Sequence, residues 1–422
     1  MKTIELKKKI EAGLYDEVLS DLYPNLNSQK TRYTGAIDKF IDLYGDKDVE
    51  VFSAPGRTEV GGNHTDHQLG KVLAAAINLD AIGIVSKRDD NIINIVSDNF
   101  NIAPIDVLKL EKRVEEEESS EALIRGMCYC LKENGYIVKG FDAFVTSEVL
   151  LGAGMSSSAC FEVLIGVIIS NLYNNNSINP VHIAQYAQFA ENVYFNKPCG
   201  LMDQCASSVG GLITIDFKDK ENPKVRKLDV DFSKFNHVLC IVDTNGSHAD
   251  LTYEYAAIPQ EMKDVAKFFN KDVLSEVSEE EFYNNIKKIR ESVSDRGVLR
   301  AHHLFEENKR VELEVAALEA NDFNKFKEVL KDSGRSSFCF LQNIYNSKKI
   351  EVQDVSLALA LSERILKDRG VCRVHGGGFA GTIQAFVESD FALEYKKEIE
   401  KTFGLGSCHI LQIRKYGGKK VI

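Results

Sequence analysis

Four segments concentrate the side chains with which this chain could do chemistry: residues 55–70, 152–159, 198–204 and 375–381. The second reads Gly152, Ala153, Gly154, Met155, Ser156, Ser157, Ser158, Ala159. Its glycines let the backbone turn tightly and approach a ligand closely. Its hydroxyls can cap a helix, bind phosphate or reach a metal. Residues 141–150 read as a strand leading into this loop, and the apolar run 160–172 as a buried helix leaving it. Strand, small-residue loop and helix bring unpaired backbone N–H groups and the positive end of a helix dipole to one point. The loop by itself leaves two readings, a nucleotide phosphate site and a turn ending in a Ser cap.

The segment 55–70 sets Arg57, Asn63, His64, Asp66 and His67 among four glycines. His64, Asp66 and His67 are residue types that ligate metals or hydrogen-bond a polar ligand. In 198–204, Asp203 follows soon after Gly200. A helix is predicted over 181–195, with Asn179 as its cap and Pro180 in its first turn. That helix puts Glu191 on the same face as Ile183 and Ala187. A carboxylate on an inner face needs a partner, either a basic side chain or a metal ion.

The elements that must position these segments are predicted as follows. Amphipathic helices cover residues 3–30 and 33–44. Strands cover 49–53, 72–85 and 92–97, and the glycine-rich stretch after residue 53 is read as loop. A charged stretch with Pro223 marks a domain boundary near 216–231. Beyond it come a strand at 238–243, a series of helices between 254 and 332, a helix at 354–367, strands at 371–374 and 382–387, a helix at 391–403 and a strand at 408–414. The mixture points to an α+β fold rather than a strict alternation of strand and helix. The 422 residues, 44% hydrophobic and 27% charged, fit two domains. A net charge of −11 argues against a nucleic-acid groove or a polybasic membrane surface. The charged N-terminus is no signal peptide, no run reads as a membrane span, and nine cysteines without a Cys-x-x-Cys pair suit a reducing, cytoplasmic setting.

Taken together, the four segments resemble the GHMP small-molecule kinases, and within them the galactokinase family. Gly56, Arg57, Gly62, His64, Thr65 and Asp66 match the sugar-binding signature. Residues 152–159 match the phosphate loop, 199–204 the catalytic Cys-Gly-x-Met-Asp-Gln segment, and 375–381 the C-terminal glycine motif. The resemblance runs from about residue 37 to the C-terminus. It implies a two-domain GHMP kinase fold with the active site in the interdomain cleft: an N-terminal helical extension at 1–35, an N-terminal GHMP domain at 36–230 and a C-terminal GHMP domain at 231–422. It also implies ATP-dependent phosphorylation of galactose at the C1 hydroxyl. In that scheme residues 152–159 hold the nucleotide phosphates, Ser158 and Glu191 bind Mg²⁺, and Asp203 takes the hydroxyl proton beside Arg57. Asn63, His64, Asp66, Gly200 and Tyr255 contact the sugar. The partners are small molecules, with no nucleic acid and no membrane, for a monomer or weak oligomer. Three departures stand out: Asn63 where galactokinases usually have Glu, His67 where they usually have Tyr, and Ala153 where they often have Gly. The alternatives are a 1-kinase for galacturonate, arabinose or an N-acetylhexosamine, and a sensor without turnover. Asn63 leads to the expectation that Asn63→Glu shifts preference from a uronate toward the neutral hexose.

Overall fold

The computed structural model describes residues 1–98, 102–149, 154–246, 251–347 and 350–422. Leu151, Gly152 and Ala153 of the expected phosphate loop lie outside the described residues.

Three helices open the chain: α1 (Thr3–Glu11), α2 (Asp16–Leu22) and α3 (Leu26–Tyr44). Asn25 starts α3 by accepting from the Ser28 N–H at 3.1 Å. The expected boundary at residue 36 therefore falls inside one continuous helix. Strands β1 (Glu50–Gly61), β2 (Lys71–Lys87), β3 (Ile92–Ser97) and β4 (Ile105–Asp106) follow. Then come α4 (Ser120–Glu133), β5 (Phe141–Ser147), α5 (Ser157–Asn174), α6 (Pro180–Phe189), α7 (Met202–Val209), β6 (Leu212–Asp216) and β7 (Lys224–Lys227). The second half holds β8 (His237–Asp243), α8 (Thr252–Phe268), α9 (Glu279–Ile289), α10 (Asp295–Glu319), α11 (Phe323–Ser336) and α12 (Asp354–Leu366). It closes with β9 (Gly370–Val374), β10 (Thr382–Glu388), α13 (Ala392–Phe403), β11 (Cys408–Leu411) and β12 (Lys419–Lys420).

The strands form two sheets. One has eight strands, in order β12-β1-β2-β5-β3-β4, with β6 added to the free half of β2 and β7 to β6. The other has four antiparallel strands, β11-β8-β10-β9. The hairpin of β6 and β7 occupies the charged stretch expected to be a boundary, and β12 returns the C-terminus to the first sheet. Apolar packing is continuous between the halves, since Leu239, Ile241 and Phe386 share a core with Phe52, Ala54 and Ile168.

Alternation along the strands splits the first sheet into two buried faces. Val51, Ile82, Ile84 and Phe144 pack under the N-terminal helices, while Phe52, Ala54, Ala143 and Val145 pack against α5. By length and composition α5 would suffice to cross a membrane, which the sequence reading did not anticipate, but here it is the central helix of the core.

β1 departs from expectation. It continues eight residues beyond the predicted end at residue 53, because its second half still pairs with β2. Register shifts between Pro55 and Arg57 and between Glu59 and Gly61 mark bulges. Bulges let a strand turn individual side chains toward a site without leaving the sheet.

Candidate functional site

The site forms where β1, α5 and α7 of the first half meet the glycine loop between β9 and β10. Arg57 leaves β1 between its two bulges. Its Nε donates to Asp203 Oδ1 at 2.6 Å, its Nη2 reaches Asp203 Oδ2, and its Nη1 donates to the Gly154 carbonyl. Asp203 sits in the first turn of α7, where the helix dipole favours a carboxylate. The Ser156 hydroxyl donates to Asp203 Oδ2 at 2.6 Å. Burial pushes this carboxyl up, but the Arg57 charge, the Arg57 hydrogen bonds and the Ser156 hydroxyl together hold it below the usual carboxylate range. Asp203 is thus an ionised, acceptor-only group, and a quarter of its side-chain surface (25%) stays exposed to the cleft.

Ser156 carries the positive φ of 57° at the entry to α5 and makes no side-chain cap hydrogen bond. Its hydroxyl serves Asp203 instead. This removes the ordinary Ser cap from the two readings of the loop and leaves the first amides of α5 available to an anion. Gly56 makes room for this turn, because a Cβ there would come within 3.1 Å of the Met155 carbonyl oxygen.

Ser158 Oγ donates to Glu191 Oε1 at 3.0 Å. Glu191 is 2% exposed and lies in a π-helical turn, Ala190–Tyr194, that continues α6. The sequence predicted a regular helix there; a π turn inside a helix re-aims side chains and recurs at functional sites. Gly126 lets α4 press against this turn, since a Cβ would lie 2.8 Å from the Ala190 Cα. The other Glu191 oxygen accepts from Gln204 Nε2 at 2.8 Å, and Lys197 Nζ lies 3.3 Å from Oε1. Gln204 also faces Glu162, whose Oε2 is 3.4 Å from Gln204 Nε2 and whose Oε1 has no partner. Burial and then the Glu191 charge push the Glu162 carboxyl well above its ordinary range. Gln204 belonged to a motif read from the sequence, but its role and that of Glu162 were missed. Their signal was one carboxylate in an otherwise apolar helix, four residues after Ser158.

Beside Ser157 and Ser158 opens a cavity of about 350 Å³. Ser119, Ser120 and Ser147 supply hydroxyls to it, and Leu123, Val145, Val149, Phe161 and Phe195 supply apolar walls. Its position at the start of α5 fits the base and ribose of a nucleotide whose phosphates reach the helix N-terminus.

The expected sugar residues gather on the other side of Arg57. Asp66 Oδ1 accepts from the His67 N–H at 2.9 Å. Asp66 Oδ2 lies so close to Gly200 that a Cβ there would be 2.3 Å away, so residue 200 must be small. His64 Nε2 pairs with the Gly377 carbonyl at 3.0 Å, and Tyr255 Oη donates to the Gly378 carbonyl at 2.8 Å. Burial pushes the His64 imidazole down to about 4, which leaves it neutral. His375 bonds the Thr58 and Thr382 hydroxyls at 3.1 and 3.0 Å, a structural role. The metal-cluster reading of His64, Asp66 and His67 fails: among the described residues no group of three or more His, Cys, Asp or Glu could hold a metal ion.

Asn63 departs from its expected role. It is fully buried, and both ends of its amide are taken by the protein. Nδ2 donates to Glu59 Oε1 at 3.0 Å and the Gly376 carbonyl at 2.7 Å, while Oδ1 accepts from Asn343 at 2.9 Å and Ser337 at 3.3 Å. Glu59 in turn pairs with the buried Arg373 of β9. Burial raises the Glu59 carboxyl to about 7, against the opposing pull of Arg373 and of the Asn63 hydrogen bond. Asn63 is therefore a buried strut between β1, the glycine loop and the turn after α11. Sequence reasoning could not foresee this, because its partners lie up to 313 residues away.

The chain is similar to known proteins over most of its length. The galactokinase galactose-binding signature matches residues 38–87, and the GHMP kinases N terminal domain matches residues 122–211. A galactokinase of Lactococcus lactis subsp. lactis is 30% identical over 377 residues, covering 87% of this chain and 90% of that protein. A galactokinase of Streptomyces coelicolor is 29% identical over 369 residues, covering 87% and 92%. The crystal structure of Lactococcus lactis galactokinase complexed with galactose superposes with a TM-score of 0.76 at 27% identity, covering 91% of this chain and 98% of that one. Methanococcus jannaschii mevalonate kinase, at 15% identity and a TM-score of 0.61 over 87% and 98% of the two chains, shares the fold. The paired carboxylate and arginine, the uncapped helix start and these relatives lead to one conclusion: the chain belongs to the galactokinase family of the GHMP kinases.

Proposed function

We propose that the protein transfers the γ-phosphoryl group of ATP to the C1 hydroxyl of galactose, giving galactose 1-phosphate. The observation that carries this reading is the ionised Asp203, held by Arg57 and Ser156 beside the uncapped start of α5. Phosphoryl transfer needs little covalent help from a protein; it needs alignment and charge neutralisation. Residues 154–159 and the α5 dipole receive the nucleotide phosphates, and the adjoining cavity takes the base. Gly152 and Ala153 complete that loop in the proposal. Asp203 accepts the proton of the attacking hydroxyl. Arg57 keeps Asp203 ionised, and its charge faces the oxygens that become more negative as the bond breaks. Asp66 orients the sugar next to Gly200, with His64 and Tyr255 lining the same side.

Ser158 and Glu191 would hold Mg²⁺. The fit rests on hard oxygen donors from two elements meeting at 3.0 Å, with Gln204 fixing the second Glu191 oxygen. Bound there, the ion neutralises phosphate charge. The partners in this reading are small molecules, in the cytosol, for a monomer or weak oligomer; all nine cysteines are free thiols.

The test is sugar-dependent ADP release against hexoses, pentoses, uronates and amino sugars. Galactose is expected to lead the panel. Absence of galactose-dependent ADP release, with another sugar turned over, contradicts the reading.

A further inference from the structure

Of the N-terminal helices, α1 and α2 precede both matched segments, which begin at residues 38 and 122, and α3 runs into the first of them. They cover the face of the first sheet opposite α5, and one of their side chains bonds residues that neighbour the cavity lining. Arg32 of α3 donates from Nη2 to the Asp80 carbonyl at 2.8 Å and the Thr146 carbonyl at 3.3 Å. Its Nη1 donates to Asp80 Oδ1 at 2.7 Å and Glu148 Oε2 at 3.2 Å. Gln29, one turn earlier, holds the same Glu148 oxygen at 2.9 Å.

These acceptors belong to the middle of β2 and the end of β5, next to residues that wall the cavity. Asp80 precedes Ala81, Glu148 lies between Ser147 and Val149, and Ala81, Ser147 and Val149 all line the cavity. Ala81 and Ser147 are paired across β2 and β5, and the Glu148 N–H closes the pair by donating to the Asp80 carbonyl at 3.0 Å. In the sequence the phosphate loop begins four residues after Glu148. A planar guanidinium, with donors in a fixed fork, can tie several carbonyl and carboxylate oxygens at once; an ammonium cannot hold that geometry. Arg32 is only 10% exposed, and its partner Asp80 is fully buried, held from the far side by Arg414 at 2.7 Å and Tyr23 at 2.5 Å. The clamp is thus anchored on both sides.

We propose that Arg32 is a positioning residue for the nucleotide: it ties the middle of β2 to the end of β5, so the N-terminal helices brace the back wall of the ATP site. The inference rests on reading the cavity as the nucleotide pocket. Misplacing that wall weakens nucleotide binding in ground and transition states alike, which raises the ATP KM more than it lowers kcat. The sugar residues have no contact with Arg32, so the galactose KM stays.

The experiment compares Arg32→Met, Glu148→Ala and Leu19→Ala in the full chain, measuring both KM values, the calorimetric Kd for ATP and the Tm. Arg32→Met is expected to raise the ATP KM and Kd about tenfold, with the galactose KM within about twofold. Glu148→Ala leaves the buried Arg32 and Asp80 pair in place and is expected to raise them about threefold. Leu19→Ala, buried among the same helices, lowers Tm and leaves the ATP KM unchanged. An Arg32→Met protein with ATP KM and Kd within twofold of wild type overturns the inference. So does one in which both KM values rise alike. If Arg32→Met does not fold, Glu148→Ala decides by the same criterion: a rise in ATP Kd supports the clamp and an unchanged value refutes it. A wild type that binds ATP but releases no ADP with any sugar refutes the kinase reading, and the Kd comparison still tests the clamp.

Discussion

At the phosphate end of the site, Ser156, Ser158, Asp203 and Glu191 bond in short pairs that leave oxygens and helix amides for a ligand. At the sugar end, Asn63, Glu59, Arg373 and Asn343 satisfy one another in a buried network that leaves the Asn63 amide nothing to offer. The same kinds of polar residue therefore do different work on the two sides of Arg57. Near the phosphates the proposed function makes them reactive and receptive. Near the sugar they are largely scaffold, and in the proposed function recognition falls to Asp66, His64 and Tyr255. The difference shows that a residue inside a binding signature need not touch the ligand. A buried amide with four partners sets where its neighbours stand, and removing one partner costs the desolvation of the others.

The contrast can be broken at several places. The largest effect is expected at the base: Asp203→Ala should lower kcat by about 10²–10⁴-fold while both KM values move little. Arg57→Met should lower kcat by about 10²–10³-fold, as removal of a charge-stabilising donor does. It should also change the pH profile. Arg57 lowers the Asp203 pKa, so the wild-type acid limb lies below the usual carboxylate range, and losing Arg57 moves that limb to higher pH. An unmoved acid limb would separate Arg57 from the base. Gln204→Leu should raise the Mg²⁺ concentration needed for half-maximal activity by about 10–100-fold with the galactose KM unchanged, because it orients Glu191 without contacting the sugar.

At the sugar end the expected readout is stability. Asn63→Asp, nearly isosteric, turns a donor facing Glu59 and the Gly376 carbonyl into an acceptor. It should cost about 1–3 kcal/mol in a denaturant melt. Asn63→Glu should do the same, rather than switch preference between uronate and hexose as the sequence alone suggested. A stable variant with altered sugar preference would restore Asn63 to the sugar site. The smallest effect is expected from Lys197→Ala, whose side chain is 60% exposed beside Glu191; exposed pairs contribute about 0–1 kcal/mol, so activity should stay within about fivefold.

Much of the phosphate end was legible in the sequence because its logic is local. Strand, glycine turn, serines and apolar helix are consecutive, and Glu191 announced itself as an acid on an apolar face. The α+β class and the order of most elements followed from periodicity. Less local features stayed hidden. The extension of β1 through Gly61 depends on pairing with β2 and on two bulges, which glycine-rich sequence disguises as loop. The π turn at Ala190–Tyr194 has the same periodic signal as a regular helix over so short a stretch. The role of Asn63 depends on Asn343 and Gly376, which no spacing rule connects to it. The clamp of Arg32 on Asp80 and Glu148 joins an amphipathic helix to the middle of one strand and the end of another, far along the chain.

The most direct test of the account follows the phosphoryl group itself. Wild-type protein and Asp203→Ala are mixed with ATP and galactose in a single turnover, and the sugar product is identified by phosphorus and proton NMR. The account predicts a phosphate coupled to the anomeric proton, formed by the wild type and at least about 10²-fold more slowly by the variant. Phosphate on another carbon, or equal rates in the two proteins, would contradict it.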